Sequence, residues 1–141
     1  MAREGTYLGF DFGLRRIGVA VGQRLTGTAT PLTTLRAAEG RPDWETVDAL
    51  VGTWRPEGIV VGIPLNMDGT EQALTHAARA FARELAARYR LAVHPIDERL
   101  SSIEAERIMG EERAAGRRRR YRKEDVDMKA AQLILETWLN R

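Results

Sequence analysis

Residues Tyr7–Gly22, Y-L-G-F-D-F-G-L-R-R-I-G-V-A-V-G, contain two short apolar runs separated by a basic turn with a glycine in it. Neither Tyr7–Asp11 nor Ile17–Gly22 has the length or period of a helix, and Gly13 between them predicts a β-hairpin. Asp11 stands where the first strand runs out into the turn. A carboxylate at the end of a buried strand is costly unless it meets a cation. Asp11 is therefore a candidate metal ligand, and a plain turn-forming aspartate is the alternative for it.

Downstream, Thr28–Leu35 extends the hairpin into a meander, with Pro31 pointing to an edge position. Pro42 and Asp43 open a helix with Trp44, Val47, Leu50 or Val51, and Trp54 on one face. Pro56 and Gly58 end it. Ile59-Val60-Val61-Gly62-Ile63 is apolar throughout, as expected of a central strand covered on both faces. The turn-rich loop Pro64–Thr70 follows, and Asp68 with Glu71 fits a capping box for the next helix. That helix carries Leu74, Ala77, Ala78, Phe81, Leu85 and Tyr89 at helical spacing.

Leu91–Ile96 reads as another strand, running into Asp97-Glu98-Arg99. Ser101 and Glu104 suggest a helix to about Met109, and Arg113–Lys123 a loop. Asp125 or Asp127 then starts a last helix that buries Ala131, Ile134, Leu135 and Trp138. The order β-β-β-α-β-α-β-α-α predicts one α/β domain over 1–141: a mixed five-stranded sheet flanked by helices.

Composition narrows the chemistry. The 141 residues are 43% hydrophobic and 30% charged, an ordinary globular mix. There is no cysteine, so thiolate metal sites and Cys nucleophiles are excluded. His76 and His94 are too few for a histidine-rich zinc site. A metal would be held by carboxylates, which favours Mg²⁺ or Mn²⁺. No apolar stretch predicts a signal peptide or a membrane span. Net charge is only +2, but Arg113, Arg117, Arg118, Arg119, Arg120, Arg122 and Lys123 lie together with no acid among them. Such a local positive field suits nucleic-acid phosphates.

Asp11, Glu98 and Asp127 form the candidate catalytic set. Two fall at strand C-terminal ends and one near a helix N-terminus, where ligand crevices of open α/β sheets lie. Converging carboxylates repel one another unless a divalent cation neutralises them, and such clusters hydrolyse phosphodiesters with metal assistance. Singly, Glu98 also reads as a solvated or ion-paired charge and Asp127 as a helix-dipole acid. One geometric difficulty stands out. Strands lie ~4.8 Å apart, so with Ile59–Ile63 between them Asp11 and Glu98 are two spacings apart. Arg15 and Arg16, beside Asp11, suit bidentate phosphate contact. Arg99, the arginine run 117–120, and the loop residues Asn66, Asp68 and Thr70 complete the candidate substrate contacts.

Four motifs closely resemble those of the YqgF (RuvX) family. They are Phe10-Asp11-Phe12-Gly13-Leu14-Arg15-Arg16-Ile17-Gly18-Val19-Ala20-Val21, Gly62-Ile63-Pro64-Leu65-Asn66-Met67-Asp68-Gly69-Thr70, Asp97-Glu98-Arg99-Leu100-Ser101-Ser102 and Val126-Asp127-Met128-Lys129-Ala130-Ala131. In order, they span almost the whole chain. The resemblance implies an RNase H-like fold related to Holliday-junction resolvases. It also implies a cytoplasmic, metal-dependent nuclease that matures the 5′ end of precursor 16S ribosomal RNA, with its acids on Asp11, Glu98 and Asp127. Expected partners are RNA, a ribosomal precursor particle or structured DNA, with the protein a monomer or homodimer and no membrane involved. The rival expectations are a DNA-junction resolvase and a non-catalytic transcription or ribosome-assembly factor.

Overall fold

The computed structural model describes residues 3–98 and 122–141. Strands β1 (Arg3–Asp11) and β2 (Arg16–Gln23) form the expected antiparallel hairpin, with Tyr7 opposite Gly22 and Asp11 opposite Gly18. β3 (Thr28–Ala38) pairs antiparallel with β2. The register of that pair slips between Val19 and Ala20, which face Thr33 and Pro31. The bulge falls at the proline, where a missing N–H is tolerated.

A two-residue strand that the sequence pattern does not signal, β4 (Arg41–Pro42), folds back on Ala37 and Ala38. Glu39 and Gly40 make the turn with positive φ values of 53° and 82°. The sheet therefore has six strands rather than five, and Pro42 belongs to β4 rather than opening a helix. Asp43 is the N-cap of α1 (Trp44–Trp54), accepting from the Glu45 N–H at 3.1 Å.

β5 (Pro56–Ile63) enters the sheet parallel to β1, and β6 (Ala92–Asp97) lies parallel to β5. The strand order is β4-β3-β2-β1-β5-β6. β5 thus stands between the strands that carry Asp11 and Glu98. Between β5 and β6 runs α2 (Ala73–Tyr89), whose N-cap is Gln72. The Asp68–Glu71 capping box does not form. Asp68 instead closes a turn by accepting from the Thr70 N–H at 2.9 Å, and Glu71 pairs with Arg79.

The last helix, α3 (Lys123–Leu139), starts earlier than either Asp125 or Asp127. Its N-cap is Arg122, and the Asp125 carboxylate accepts the Arg122 N–H at 2.9 Å. Asp125 therefore does the capping, and Asp127 lies in the second turn. The expected helix from Ser101 to Met109, and residues 113–121 of the expected loop, lie outside the described residues.

The sheet separates two cores. On one face Leu8, Phe10, Phe12, Ile17, Val19, Val21, Ile59, Val61 and Ile63 meet Val47 of α1 and Ala78, Phe81 and Leu85 of α2. On the other, Tyr7, Ala20, Ala29 and Val60 meet Ala131, Ile134, Leu135 and Trp138 of α3. The alternation of strand side chains places Tyr7, Gly9 and Asp11 on the α3 face, with Gly18, Ala20 and Gly22 beside them on β2. Toward Asp11 the strands of this face carry little bulk, with glycine at 9, 18 and 22. A Cβ on Gly18 would lie 2.1 Å from the Asp127 carbonyl oxygen, and one on Gly9 2.8 Å from Leu135 Cβ. Glycine at these positions lets the α3 backbone come down onto the hairpin.

Candidate active site

At the C-terminal ends of β1, β5 and β6, three features of the chain meet. Asp11 is the last residue of β1 and is paired with Gly62 of β5. Glu98 follows β6 directly. Its N–H donates to the Ile63 carbonyl at 3.2 Å, which extends the β5–β6 ladder by one step and fixes where its side chain starts. Asp127 comes from the second turn of α3, which the glycines of β2 hold close to the sheet.

Gly62 resolves the two-strand gap between Asp11 and Glu98. A Cβ built on Gly62 would sit 2.6 Å from Glu98 Oε2 and 2.5 Å from Ile134 Cδ1. The Glu98 carboxylate therefore lies across β5 in the space a side chain there would fill, and it reaches the Asp11 carboxyl. Glu98 is buried, and its Oε2 has no hydrogen-bond partner among the described residues. Gly62 is the functional position that the sequence reading missed. Its signal was a glycine inside an otherwise apolar strand, which marks close approach of another group.

The electrostatics follow from this crowding. Burial, then the charge of Glu98 and the hydrogen bond with it, then Asp127, push the Asp11 carboxyl well above its ordinary range. Burial raises Glu98 as well, against the hydrogen bond with Asp11, which favours its ionised form. The two carboxyls share a hydrogen bond, and both are pushed toward the protonated form. Two carboxyls crowded into one desolvated site do not both ionise readily without a compensating cation.

Asp127 is near enough to act on Asp11 electrostatically, but its own bond goes elsewhere. Arg16 Nε donates to Asp127 Oδ2 at 2.7 Å. Among the described residues, no three His, Asp or Glu side chains are gathered closely enough to hold a metal ion. The set is therefore two carboxyls together and a third turned toward an arginine. The donors fit a hard divalent cation all the same. They are all carboxylate oxygens, one of them is buried without a partner, and the pair needs positive charge to ionise.

Beside the acids opens a cleft of about 340 Å³, lined by Asp11, Arg15, Arg16, Leu74, Asp127 and the Phe12–Leu14 turn. Arg15 and Arg16 are therefore at the acids, as expected. Asn66, Asp68 and Thr70 come together with one another rather than into this lining. Asn66 Nδ2 donates to Thr70 Oγ1 at 2.9 Å, and Thr70 Oγ1 to Asp68 Oδ1 at 2.6 Å. Arg99 and Arg117, Arg118, Arg119 and Arg120 lie outside the described residues.

The chain is similar to several known proteins. The RuvX family, described as Holliday junction resolvase, matches residues 5–141. A Nitrosococcus oceani protein named "Putative pre-16S rRNA nuclease" is 56% identical over 133 residues, 94% of this chain and 84% of its own length. A Klebsiella pneumoniae protein of the same name is 49% identical over 138 residues, covering 98% of each chain. Among solved structures, Thermus thermophilus RuvC in complex with a Holliday junction substrate superposes with a TM-score of 0.56 at 17% identity, over 96% of each chain. That likeness carries the fold, an RNase H-like α/β arrangement. With four motifs in order and relatives matched over nearly their whole length, the chain belongs to the RuvX family.

Proposed function

We propose that this protein is a metal-dependent endonuclease that hydrolyses phosphodiester bonds of RNA and matures the 5′ end of precursor 16S ribosomal RNA in the bacterial cytoplasm. The observation that carries the reading is the Asp11–Glu98 pair, with Glu98 buried across Gly62 at the edge of a cleft lined by arginines. A protein that needed Asp11 only for its turn would not bury a second carboxyl against it. The names of the relatives from Nitrosococcus and Klebsiella support the substrate. Among the described residues, no helix is long and apolar enough to cross a membrane.

In this reading Asp11 and Glu98 would hold Mg²⁺ or Mn²⁺, with Asp127 as the third acid. The bound cation supplies Lewis-acid activation of the scissile phosphate and of the attacking water. The chain's own residues do the remaining work. Arg15 and Arg16 bind the phosphates flanking the scissile bond, with the charge that Arg99 and residues 117–120 add to the chain supporting them. The Asp11–Glu98 pair ionises when positive charge arrives. Phe12, Leu14 and Leu74 add apolar surface to the cleft lining.

A second reading, cleavage of a DNA four-way junction by a homodimer, is favoured by the family's description and by the RuvC likeness. One experiment tests both. End-labelled precursor RNA and a matched DNA junction are incubated with Mg²⁺, Mn²⁺ or EDTA, using wild type and Asp11→Ala. The expected result is RNA cleavage that needs metal and falls at least ~100-fold in the variant. Preferred cleavage of the junction would transfer the assignment to the resolvase. Binding without cleavage of either substrate, also with ribosomal precursor particles present, would make the protein a non-catalytic assembly factor.

A further inference from the structure

The Arg16–Asp127 pair is out of place for a nuclease whose three acids act together. Arg16 lies at the start of β2, paired with Arg36 of β3. Its Nε reaches across the cleft to Asp127 Oδ2 at 2.7 Å, and among the described residues this is the only hydrogen bond of its side chain. Arg16 lines the cleft together with Arg15. About a third of the Arg16 side chain and a fifth of that of Asp127 is exposed, so the pair is open to a competing anion.

The backbone beneath the pair is fixed. The Asp127 carbonyl presses on Gly18, where no Cβ would fit, and Thr34 Oγ1 donates to the Glu124 carbonyl at 2.7 Å. The first turns of α3 are therefore pinned to β2 and β3, and what can change is the rotamer of the Asp127 side chain. Asp127 and Asp11 line the same cleft.

We propose that Arg16 is a substrate-sensing latch: it holds Asp127 away from the Asp11–Glu98 pair until a nucleic-acid phosphate takes the guanidinium and frees the third carboxylate. The proposal rests on the metal-dependent nuclease reading above and adds to it an order of events. Arg16 is here a positioning residue. A phosphate offers two oxygens to the planar guanidinium where Asp127 engages one nitrogen, so the exchange is favourable on the arginine side. The freed Asp127 carboxylate then adds negative charge beside two acids that need a cation. Phosphate binding and divalent-metal binding are thereby coupled, and the coupling is reciprocal. The protein without nucleic acid keeps a weak metal site, and full assembly waits for substrate.

The test measures binding, not turnover. Mn²⁺ affinity is read from the electron paramagnetic resonance signal of the free ion, without nucleic acid, for wild type, Arg16→Gln, Asp127→Asn and the double variant. Asp11→Asn serves as the site control. The expected result is Asp11-dependent Mn²⁺ binding that tightens ~5-fold or more in Arg16→Gln, changes little in Asp127→Asn, and loses the gain in the double variant. Mere loss of a nearby positive charge would leave the gain in the double variant, and that outcome overturns the latch. Unchanged or weaker affinity in Arg16→Gln also overturns it, while Asp11-dependent binding leaves the nuclease reading standing. Mn²⁺ binding that does not need Asp11 would overturn both.

A metal-free readout covers the other side of the coupling. Binding of a short single-stranded RNA in EDTA, followed by fluorescence anisotropy, should tighten a few-fold in Asp127→Asn when Arg16 is present. The same substitution should have no effect when residue 16 is glutamine. Equal effects in both backgrounds would overturn the latch.

Discussion

The two faces of the sheet are built on opposite principles. The face under α1 and α2 is filled with large side chains: Leu8, Phe10, Ile17, Ile59 and Leu85 are fully buried, and Phe81 packs its ring on Phe10, Phe12 and Trp44 at centroid distances of 5.7, 5.1 and 5.9 Å. The face under α3 is nearly bare at the hairpin, with Gly9, Gly18, Ala20 and Gly22 in contact with the helix or its side chains. The first face stabilises by burying apolar area. The second gives up bulk so that backbone and carboxylates can come close together. Both chemically important contacts, Asp127 above Gly18 and Glu98 above Gly62, are on that second face. The division lets the molecule hold repelling acids on one side because the other side holds the fold.

The comparison breaks first if Phe81 can be removed cheaply. Phe81→Ala should cost about 3–5 kcal/mol by urea unfolding, since three ring partners lose their contact. Mn²⁺ binding by the protein that remains folded should be unchanged, because the ring packs in the core on the opposite face of the sheet from Asp11. A loss below ~1 kcal/mol would mean that the two faces share the load.

Gly62→Ala is the matching test on the α3 face. The added methyl meets Glu98 Oε2 at 2.6 Å and Ile134 Cδ1 at 2.5 Å, both of them far ends of flexible side chains rather than backbone. The fold should survive with a loss of ~1–3 kcal/mol, while Glu98 is driven off Asp11. Metal-dependent cleavage should fall ~100-fold, the usual effect of a catalytic group displaced by about 1 Å. Retention of full cleavage would show that Glu98 does not act from its position over β5.

A smaller effect concerns pH and sharpens what the second face costs. The folded-state pKa of Asp11 is raised, so the folded protein holds a proton that the unfolded chain releases near the ordinary carboxylate pKa. The stability this contributes is fully present below the unfolded value and is lost as pH rises through the folded one. In EDTA the melting temperature should therefore decline from mildly acidic toward neutral pH. Asp11→Asn should flatten that decline and melt higher at neutral pH, and thermal scans across the pH range would show it. A wild-type curve as flat as that of the variant would mean that the pair is not strained.

The hairpin, the buried β5 run, the Asp43 cap and the apolar face of α3 were legible in the sequence because each depends on local pattern: period, turn residues or a capping side chain. The four motifs likewise located Asp11, Glu98 and Asp127. Other features depend on contacts that no local pattern encodes. β4 exists only because Glu39 and Gly40 turn the chain back onto β3. The start of α3 moved to Arg122 because Asp125 caps it from within the helix. Asp68 satisfied its own loop instead of the next helix because Thr70 offers both an N–H and a hydroxyl at shorter range. The Arg16–Asp127 pair joins residues 111 positions apart, and spacing alone gave Arg16 only to phosphate.

The smallest effect tests whether the first face can be strengthened without touching the second. α2 ends on Arg90, whose φ of 54° and ψ of 40° are left-handed, with its N–H donating to the Ala86 carbonyl at 2.9 Å. A side chain there costs ~1–2 kcal/mol relative to the right-handed region. Glycine removes that strain but raises the backbone entropy lost on folding by ~0.5–1 kcal/mol. Arg90→Gly should therefore gain a few tenths to about 1 kcal/mol in urea unfolding, as expected of the residue that most often terminates a helix in this way. Position 90 is at the far end of α2 from the cleft, so Mn²⁺ affinity and cleavage should stay at wild-type values. If Arg90→Gly changed either of them, stability and site would be coupled through α2. The acids would then depend on the packed face for their position as well as for the fold that carries them.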